Sequence, residues 1–379
     1  MKALILAGGK GTRLRPITFS MAKQLVPVAN KPVVEYGIES IAEAGVKDFG
    51  IIVGDTAEAI KEALGDGSRW GCRFTFIPQP DPLGLAHAVK TARTYLGDDD
   101  FVMYLGDNLI KSSVRALIDE FEASRPAATI LLTEVPNPSE FGVAELEGER
   151  VIRLEEKPAS PRSNLALVGV YLFDKRIHEH IDRLQPSKRG EFEITDAIQS
   201  LIDSGLPVLS HTITGWWKDT GTVEAILEAN RLVLEDLQPE ILGDVDGETR
   251  IEGRVKIGKG TQVRNSTIRG PVTVAENCVI EDSYVGPFTA IDANTQVVRT
   301  EVEHSIVLAD CSLQGVPGRV SGSLIGRGAV VERADGLPKT TQLVLGDSSH
   351  VVLPVSRLDS LAGGNNEKGA GSSRSCVLI

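Results

Sequence analysis

The most chemically suggestive part of the sequence is a glycine-rich loop near the N-terminus. Residues 8–14, Gly-Gly-Lys-Gly-Thr-Arg-Leu, follow an apolar run at residues 3–7, and Ala-Lys-Gln-Leu comes shortly afterwards at residues 22–25. Three glycines let the backbone turn sharply, so that amide N–H groups can approach phosphate oxygens. Arg13 and Lys23 add positive charge. The spacing is neither that of a Walker A loop nor the Gly-x-Gly-x-x-Gly of a dinucleotide fold.

Apolar and helical segments alternate around this loop, which indicates an α/β domain. The pattern predicts strands at residues 3–7, 49–53, 74–77 and 101–105, with helices at 33–44, 57–64 and 85–95. Such alternation is typical of a doubly wound, mostly parallel, Rossmann-like sheet that binds ligands at the carboxyl ends of its strands. The glycine loop and Gly106-Asp107 both follow predicted strands, so both are expected at that edge.

Beyond about residue 245 the sequence becomes a repeat of 17 residues. Aliphatic residues recur at steps of 6, 6 and 5, at Ile251, Ile257, Val263, Ile268, Val274, Ile280, Val285, Ile291, Val297 and Val302. This spacing suits three-sided coils that stack one aliphatic side chain inward on each side, so it predicts a left-handed parallel β-helix. A β-sandwich would alternate with period two instead. After Val302 the frame drifts through Ile306, Leu313, Val320 and Ile325, and the pattern does not assign those coils.

Composition excludes several classes of protein. A chain of 379 residues is long enough for two domains, and 24% charged residues are typical of a soluble protein. The net charge of −12 argues against nucleic acid or an acidic membrane surface as the main partner. Cys72, Cys278, Cys311 and Cys376 form no Cys-x-x-Cys pair, so neither a zinc site nor a disulfide framework is expected. We therefore expect a cytoplasmic protein.

Three segments together resemble the signature of the sugar-1-phosphate nucleotidyltransferases, the nucleoside-diphosphate-sugar pyrophosphorylases. They are GGKGTRLRP at 8–16, AKQLVP at 22–27 and NKPVVEY at 30–36, and the resemblance extends through 192–196 and 217–222. The appended β-helix is similar to that of the long-form thymidylyltransferases. The resemblance implies a catalytic domain at 1–240. The repeat indicates a β-helix domain at 245–355, and the Gly/Asn/Ser-rich composition from Gly363 indicates a disordered tail at 360–379. The resemblance also implies dTTP and glucose 1-phosphate as substrates.

The family's metal site transfers to two aspartates. The resemblance implies that Asp107 and Asp219 bind Mg²⁺ and that Arg13, Lys23 and Asp107 are catalytic. Mg²⁺ is commonly bound through one or two carboxylates plus substrate phosphates, which two aspartates can satisfy. The alternatives are a turn residue at the end of a strand for Asp107 and a helix N-cap ahead of Thr222 for Asp219.

The nucleotide site implied by the resemblance lies in three segments. Gln79 matches the glutamine that reads the pyrimidine edge, and Gly84 matches the residue whose backbone lies along the base. Gln24, within Lys-Gln-Leu, favours dTTP over UTP. The full set of expected nucleotide-binding residues is Gly8, Gly9, Gly11, Thr12, Gln24, Gln79 and Gly84.

The sugar phosphate site is implied in the same way. Lys157 matches a phosphate ligand, Glu156 and Asn164 match ligands of the sugar hydroxyls, and Gly142 supplies backbone contacts. The full set is Gly142, Glu156, Lys157, Asn164, Val168, Arg189 and Glu191. Taken alone, Glu156-Lys157 is an ordinary exposed pair of charges.

Other interpretations stay open at this point. The nucleotide could be UTP, and the β-helix could carry acyltransfer with His304 as base, or the chain could be a regulatory subunit that binds sugar nucleotides. Retention of Asp107, Asp219 and Lys157 argues against the regulatory role. We expect a homo-oligomer with no nucleic acid or membrane partner. The last four residues, Cys-Val-Leu-Ile, have the form of a prenylation box, although a disordered tail is the simpler interpretation.

Overall fold

A computed structural model describes residues 1–148, 150–333 and 341–353. The expected tail at 360–379 and the box at 376–379 lie outside the described residues. No helix in the described part of the chain is long and apolar enough to cross a membrane.

The N-terminal part alternates strands and helices. Its helices are α1 (Val33–Glu43), α2 (Ala57–Leu64), α3 (Leu85–Thr91), α4 (Arg93–Leu96), α5 (Val114–Ser124), α6 (Arg176–Asp182), α7 (Ile194–Asp203) and α8 (Val223–Leu234). Its strands are β1 (Lys2–Leu6), β2 (Pro27–Val28), β3 (Lys31–Pro32), β4 (Asp48–Val53), β5 (Arg73–Pro78), β6 (Phe101–Leu105), β7 (Asn108–Ile110), β8 (Ala128–Glu134), β9 (Gly142–Glu147), β10 (Arg150–Glu156), β11 (Leu165–Phe173), β12 (Val208–Thr212) and β13 (Trp217–Asp219). The segment predicted as one helix at 85–95 is two helices, because the chain leaves regular helix at Ala92.

The main sheet has the order β10-β9-β11-β6-β1-β4-β5, and β8 joins it by pairing with β11 and β12. Strands β6, β1, β4 and β5 are parallel, whereas β11 runs antiparallel to β6, β8 and β9. The predicted Rossmann-like sheet is confirmed: four parallel strands come from the first 105 residues, and β12 adds a parallel pair with β8 at the other side of the sheet. The carboxyl ends of β1 and β6 are adjacent, since Leu6 pairs with Leu105. The glycine loop after β1 and the Gly106-Asp107 segment after β6 therefore leave the sheet next to each other.

Helices cover both faces of this sheet. Side chains alternate along a strand, so Leu4 of β1 packs on one face with Val89 of α3 and Ile198 of α7. Ile5 packs on the other face with Ile38 of α1. Two apolar layers hold the strand ends, and thus the loops that follow them, on a rigid base.

The C-terminal part is the predicted left-handed parallel β-helix. Its strands are β14 (Glu240–Ile241), β15 (Asp244–Val245), β16 (Arg250–Glu252), β17 (Val255–Ile257), β18 (Gln262–Arg264), β19 (Thr267–Arg269), β20 (Val272–Val274), β21 (Val279–Glu281), β22 (Tyr284–Val285), β23 (Thr289–Ile291), β24 (Gln296–Val298), β25 (Glu301–Glu303), β26 (Ile306–Val307), β27 (Ser312–Gln314), β28 (Arg319–Ser321), β29 (Leu324–Ile325) and β30 (Val330–Glu332). They stack into three parallel sheets in which every third strand is a neighbour.

The repeat predicted from the sequence is the interior of this β-helix. Most of the predicted positions, from Ile257 to Val302, are fully buried in one cluster, while Ile251 packs against it from the first coil. The drift after Val302 reflects coils of unequal length. Val307 is the residue that pairs with Ile291, so it occupies the inward position, and Ile306 belongs to a different apolar cluster.

That second cluster joins the β-helix to the N-terminal part. Ile306 and Leu308 of the β-helix pack with Leu14 of the glycine-loop segment and with Ile226 of α8. Two hydrogen bonds cross the same interface. Asn30 Nδ2 donates to Ile291 O at 2.8 Å, and Asn230 Nδ2 donates to Phe288 O at 2.9 Å. Because Leu14 directly follows Arg13, the β-helix buttresses the loop that carries that arginine.

Candidate active site

The glycine loop leaves β1 at the carboxyl edge of the sheet and turns sharply. Gly11 has φ of 60°, a left-handed conformation that favours glycine. A Cβ at Gly11 would lie only 2.8 Å from Lys23 Cβ. A Cβ at Gly9 would lie 3.4 Å from Gln24 Nε2. The loop therefore packs directly on the segment that carries Lys23 and Gln24, while Thr12 and Arg13 remain exposed.

A short two-stranded ribbon brings the two aspartates together. β7 pairs with β13 so that Asp219 is opposite Asn108, the residue after Asp107. The Asp107 carbonyl accepts hydrogen bonds from Thr220 N at 3.0 Å and Thr220 Oγ1 at 2.8 Å. Trp217 Nε1 donates to Asn108 Oδ1 across the ribbon. Residues more than 100 positions apart are thus fixed next to each other.

Asp219 is not the cap of the helix that follows. It ends β13, and Thr222 is the N-cap of α8, because its hydroxyl accepts a hydrogen bond from Ala225 N at 3.2 Å. The interpretation of Asp219 as an N-cap is therefore wrong. Its carboxylate is available for another role.

Lys23 lies between the two carboxylates. The side chain is almost fully buried, and its Nζ donates to Asp107 Oδ2 and lies 3.7 Å from Asp219 Oδ1. Arg13 is on the same side, since a Cβ at Gly221 would lie 2.8 Å from Arg13 Nη2 and 3.2 Å from Asp219 Oδ1. The structure thus brings together Arg13, Lys23, Asp107 and Asp219 beside the glycine loop.

Burial and charge act against each other in this cluster. Burial favours the neutral form of Lys23, but the charges of Asp107 and Asp219 outweigh it and raise the pKa of the ammonium. Burial, and then the neighbouring charge of Asp107, raise the pKa of Asp219 above its usual range. A second cation placed between the carboxylates would relieve this repulsion.

Asp107 and Asp219 fit a divalent cation that also binds a substrate phosphate. Asp219 Oδ1 is buried and has no hydrogen-bond partner, because Lys23 Nζ is beyond hydrogen-bonding distance. No group of three or more His, Cys, Asp or Glu side chains that could hold a metal occurs within the described residues. Two carboxylates suit Mg²⁺, which usually keeps waters and phosphate oxygens as its other ligands.

The expected nucleotide-binding residues lie around the same loop. Gln24 is buried below it, and Gln24 Oε1 has no hydrogen-bond partner, so it can accept one from a ligand. Gln79 follows β5, and its Oε1 lies 3.8 Å from the position that a Cβ at Gly8 would occupy. Gly84 has φ of 107°, and a Cβ there would lie 2.5 Å from Phe192 O. Only glycine fits at position 84 without a shift of the backbone.

The expected sugar-site residues lie on or next to β9, β10 and β11 and in the segment before α7. A Cβ at Gly142 would lie 3.0 Å from Glu156 Oε2, so the glycine leaves room for that carboxylate. Thr195 Oγ1 donates to Glu156 Oε2 at 3.3 Å, and Arg189 Nη1 lies 3.4 Å from Glu156 Oε1. Arg189 also pairs with Glu191 at 3.1 Å.

Three other sugar-site residues differ in how their side chains can act. Lys157 and Asn164 are exposed, and Lys157 has φ of 42°. Val168 is fully buried in the core layer that contains Ile5, so only its backbone can reach a ligand.

Sequence reasoning missed Glu193, which is buried beside Arg189. Arg189 Nη1 lies 3.3 Å from Glu193 Oε1, and Ser187 Oγ donates to the same oxygen at 2.8 Å. Burial raises the pKa of Glu193, and burial together with the Glu193 charge raises the pKa of Glu156. Glu193 stands within the 189–196 segment, but its spacing alone gave no reason to prefer it over Glu191.

Sequence reasoning also missed Asn108 and His87. Asn108 Nδ2 donates to Asp107 Oδ1 at 3.0 Å and so orients that carboxylate. His87 Nδ1 lies 2.8 Å from Gln79 Nε2. Asn108 could have been noticed as the residue next to Asp107, whereas nothing in the sequence links His87 to Gln79.

His304, the residue considered as an acyltransfer base, lies on the β-helix. Its ring packs edge-on against Phe288, with 6.0 Å between ring centroids. Phe288 in turn lies under the Arg231 guanidinium of α8. The contacts of His304 are thus those of the interface with α8.

Residues 2–236 match the family model described as nucleotidyl transferase. The chain belongs to the nucleotidyl transferase family. Curated relatives named glucose-1-phosphate thymidylyltransferase are 56% identical over 93% of this chain and 99% of the Streptomyces antibioticus protein, and 55% identical over 92% and 98% for Streptomyces griseus. Because both matches span more than nine-tenths of this chain, they include the β-helix.

A solved structure supports the fold of the N-terminal part. It is described as a candidate glucose-1-phosphate thymidylyltransferase from Bacillus anthracis in complex with sucrose. It is 35% identical, has a TM-score of 0.59, and covers 64% of this chain and 98% of its own. The chain is thus a nucleotidyltransferase that carries an additional β-helix.

Proposed function

We propose that this enzyme converts dTTP and glucose 1-phosphate into dTDP-glucose and pyrophosphate, with Mg²⁺ as cofactor. The observation that carries the proposal is the convergence of Lys23, Asp107 and Asp219 beside the glycine loop. The close relatives named for this activity support the choice of substrates. UTP in place of dTTP is the remaining alternative, since the two differ by one methyl group, worth about 1 kcal/mol in an apolar contact.

The proposed reaction is a single in-line displacement. A phosphate oxygen of glucose 1-phosphate forms a bond to the α-phosphorus of dTTP, the bond from that phosphorus to the bridging oxygen breaks, and pyrophosphate leaves with the electron pair. The attacking phosphate is already ionised at neutral pH, so no side chain has to accept a proton. Catalysis then depends on alignment and on stabilising charge on the phosphates.

The residues of the cluster divide these tasks. Asp107 and Asp219 would hold the Mg²⁺, which supplies Lewis-acid stabilisation of the triphosphate when bound. Lys23 contributes a buried, fixed positive charge, and exposed Arg13 reaches the same place from the glycine loop. The amides of residues 8–12 face the phosphates, while Gln24, Gln79 and Gly84 hold the nucleoside.

The sugar phosphate is proposed to bind on the far side of this cluster. Lys157 makes no ion pair with a described residue, so its ammonium is free to bind the phosphate. Glu156 and Asn164 accept or donate hydrogen bonds to the hydroxyls, with Gly142 and Val168 contributing backbone atoms. Arg189 and Glu191 close the pocket.

Two wider properties are proposed with the function. We expect a cytoplasmic enzyme, since its sugar phosphate and nucleotide substrates are those of the cytoplasm and the described cysteines are free thiols. We also expect a homo-oligomer, because β30 is the last strand of its sheet among the described residues and carries two exposed valines, Val330 at 64% and Val331 at 38%. Light scattering coupled to size exclusion tests the oligomer.

The experiment that tests the function is a pyrophosphate-release assay with each of the common ribonucleoside and deoxyribonucleoside triphosphates against glucose 1-phosphate and Mg²⁺. Preferential turnover of dTTP supports the proposal, and preferential turnover of UTP supports its alternative. No pyrophosphate from either pyrimidine would contradict both.

A further inference from the structure

His87 touches the side chain that is proposed to read the base. Gln79 is buried, and its Nε2 lies 2.8 Å from His87 Nδ1. An amide NH₂ only donates hydrogen bonds, so in this orientation Gln79 Nε2 donates to His87 Nδ1, which requires the tautomer of His87 that carries its proton on Nε2. This leaves Gln79 Oε1, an acceptor, as the atom of the amide that is free toward the glycine loop.

Both residues are held in place by their surroundings. The backbone N–H of Gln79 donates to Val53 O at 2.8 Å, and Gln79 stands between Pro78 and Pro80. His87 lies in the first turn of α3 and stacks on Phe192, with 6.1 Å between centroids and 26° between planes. Because the Gln79 backbone is fixed and the His87 ring is stacked, the hydrogen bond between them sets which end of the Gln79 amide faces the ligand.

We propose that His87 is a positioning residue that gives the enzyme its preference for thymine over cytosine, by fixing Gln79 with its carbonyl oxygen toward the base. This inference rests on the proposed function. The ring N3–H of thymine or uracil is a donor and pairs with Gln79 Oε1. Cytosine N3 is an acceptor, so cytosine N3 and Gln79 Oε1 would face each other without a proton between them. This loss should lower kcat/KM for the cytosine nucleotide about 10- to 100-fold relative to dTTP.

Removal of the acceptor at position 87 frees the amide. In His87→Phe the ring still packs on Phe192, but Nδ1 is gone, so Gln79 can rotate and present Nε2, which pairs with cytosine N3. The ratio of kcat/KM for dTTP to kcat/KM for dCTP should then fall at least about tenfold. The KM for dTTP should rise several-fold with kcat nearly unchanged, because the reacting phosphorus is remote from the base.

His87→Asp is the matched control. A carboxylate only accepts hydrogen bonds, so it keeps Gln79 in its present orientation and should keep the dTTP to dCTP ratio within about threefold of the original. Its negative charge weakens both nucleotides alike and therefore cancels in the ratio. A ratio of two rate constants for one preparation is also independent of how much of the variant is folded.

The outcomes separate this inference from the function on which it rests. If the unaltered enzyme turns over dTTP but His87→Phe keeps the same ratio, the positioning role is wrong and the function stands. If His87→Asp loses selectivity as fully as His87→Phe, the role is also wrong, since packing rather than hydrogen bonding would be responsible. If the unaltered enzyme releases no pyrophosphate from dTTP, the proposed function fails and this inference with it.

Discussion

Replacement of Lys23 by methionine probes the cluster at its centre. Methionine approximates the length of the lysine side chain and leaves out the ammonium. In the unaltered protein that ammonium donates to Asp107 and stands 3.7 Å from Asp219, with only 10% of the side chain exposed. The variant therefore leaves two carboxylates close together with no cation between them.

The size of the effect follows from these distances. At an effective dielectric constant of about 20, two unit charges 3.7 Å apart interact by about 4.5 kcal/mol. Part of this is offset by desolvation, and loss of one partner of a buried pair typically destabilises by about 3 kcal/mol. The unfolding temperature without metal should fall by roughly 5 °C. Loss of one contact to the reacting phosphates should lower kcat about 100-fold.

The assay is pyrophosphate release at saturating substrates, together with thermal unfolding with and without Mg²⁺. Added Mg²⁺ should stabilise Lys23→Met more than the unaltered protein, because it replaces the missing cation, but it should not restore kcat. The control is Lys31→Met, which removes another ion-paired lysine, bonded to Glu39. An unchanged rate in Lys23→Met would refute the catalytic role of Lys23.

Three further predictions follow from the geometry. In Asp219→Asn, a buried carboxylate with a raised pKa is replaced by a neutral amide. The folded protein binds the proton of Asp219 more tightly than the unfolded one, so the stability of the unaltered protein falls as pH rises through the folded pKa. At pH 7 without metal the variant should therefore be more stable by calorimetry, yet lose activity at least about 100-fold. In Gly11→Ala, the methyl group meets Lys23 Cβ, so activity should be lost. Gly71→Ala is the control, because Gly71 is also left-handed, with φ of 62° and ψ of 31°, and a Cβ there meets nothing within 4 Å. It should cost only the strain of about 1 kcal/mol, measured by urea unfolding. In Lys157→Ala, loss of a charged phosphate contact should raise the KM for glucose 1-phosphate about tenfold in steady-state kinetics and leave the KM for dTTP unchanged. An equal rise in both KM values would assign Lys157 another role.

Much of the fold could be predicted from periodic patterns. The 17-residue repeat fixes the β-helix interior because each coil must present one aliphatic residue on every side. The later coils escaped prediction for a physical reason. Val307 is 16 residues from Ile291, while Ile306 next to it is turned toward α8, so two adjacent apolar residues face different cores.

The candidate site was predictable where a motif follows a strand. Gly8 to Gly11 and Asp107 stand directly after β1 and β6, so their convergence follows from parallel strand pairing. The position of Asp219 beside Asp107 depends on the pairing of β7 with β13. These strands have three residues each, too few to show a periodic pattern in the sequence. Contacts such as His87 with Gln79, or Arg189 with Glu193, depend on side-chain geometry that no spacing reveals.

The central claim is that Asp107 and Asp219 jointly bind the divalent cation that contacts the triphosphate. Crystals grown with Mn²⁺ and a dTTP analogue that cannot be cleaved at the α–β bridge test it directly, since Mn²⁺ is located by anomalous scattering. We expect an anomalous peak within coordination distance of both carboxylates and of a phosphate oxygen. A fully occupied Mn²⁺ site at the triphosphate that contacts neither aspartate would contradict the account.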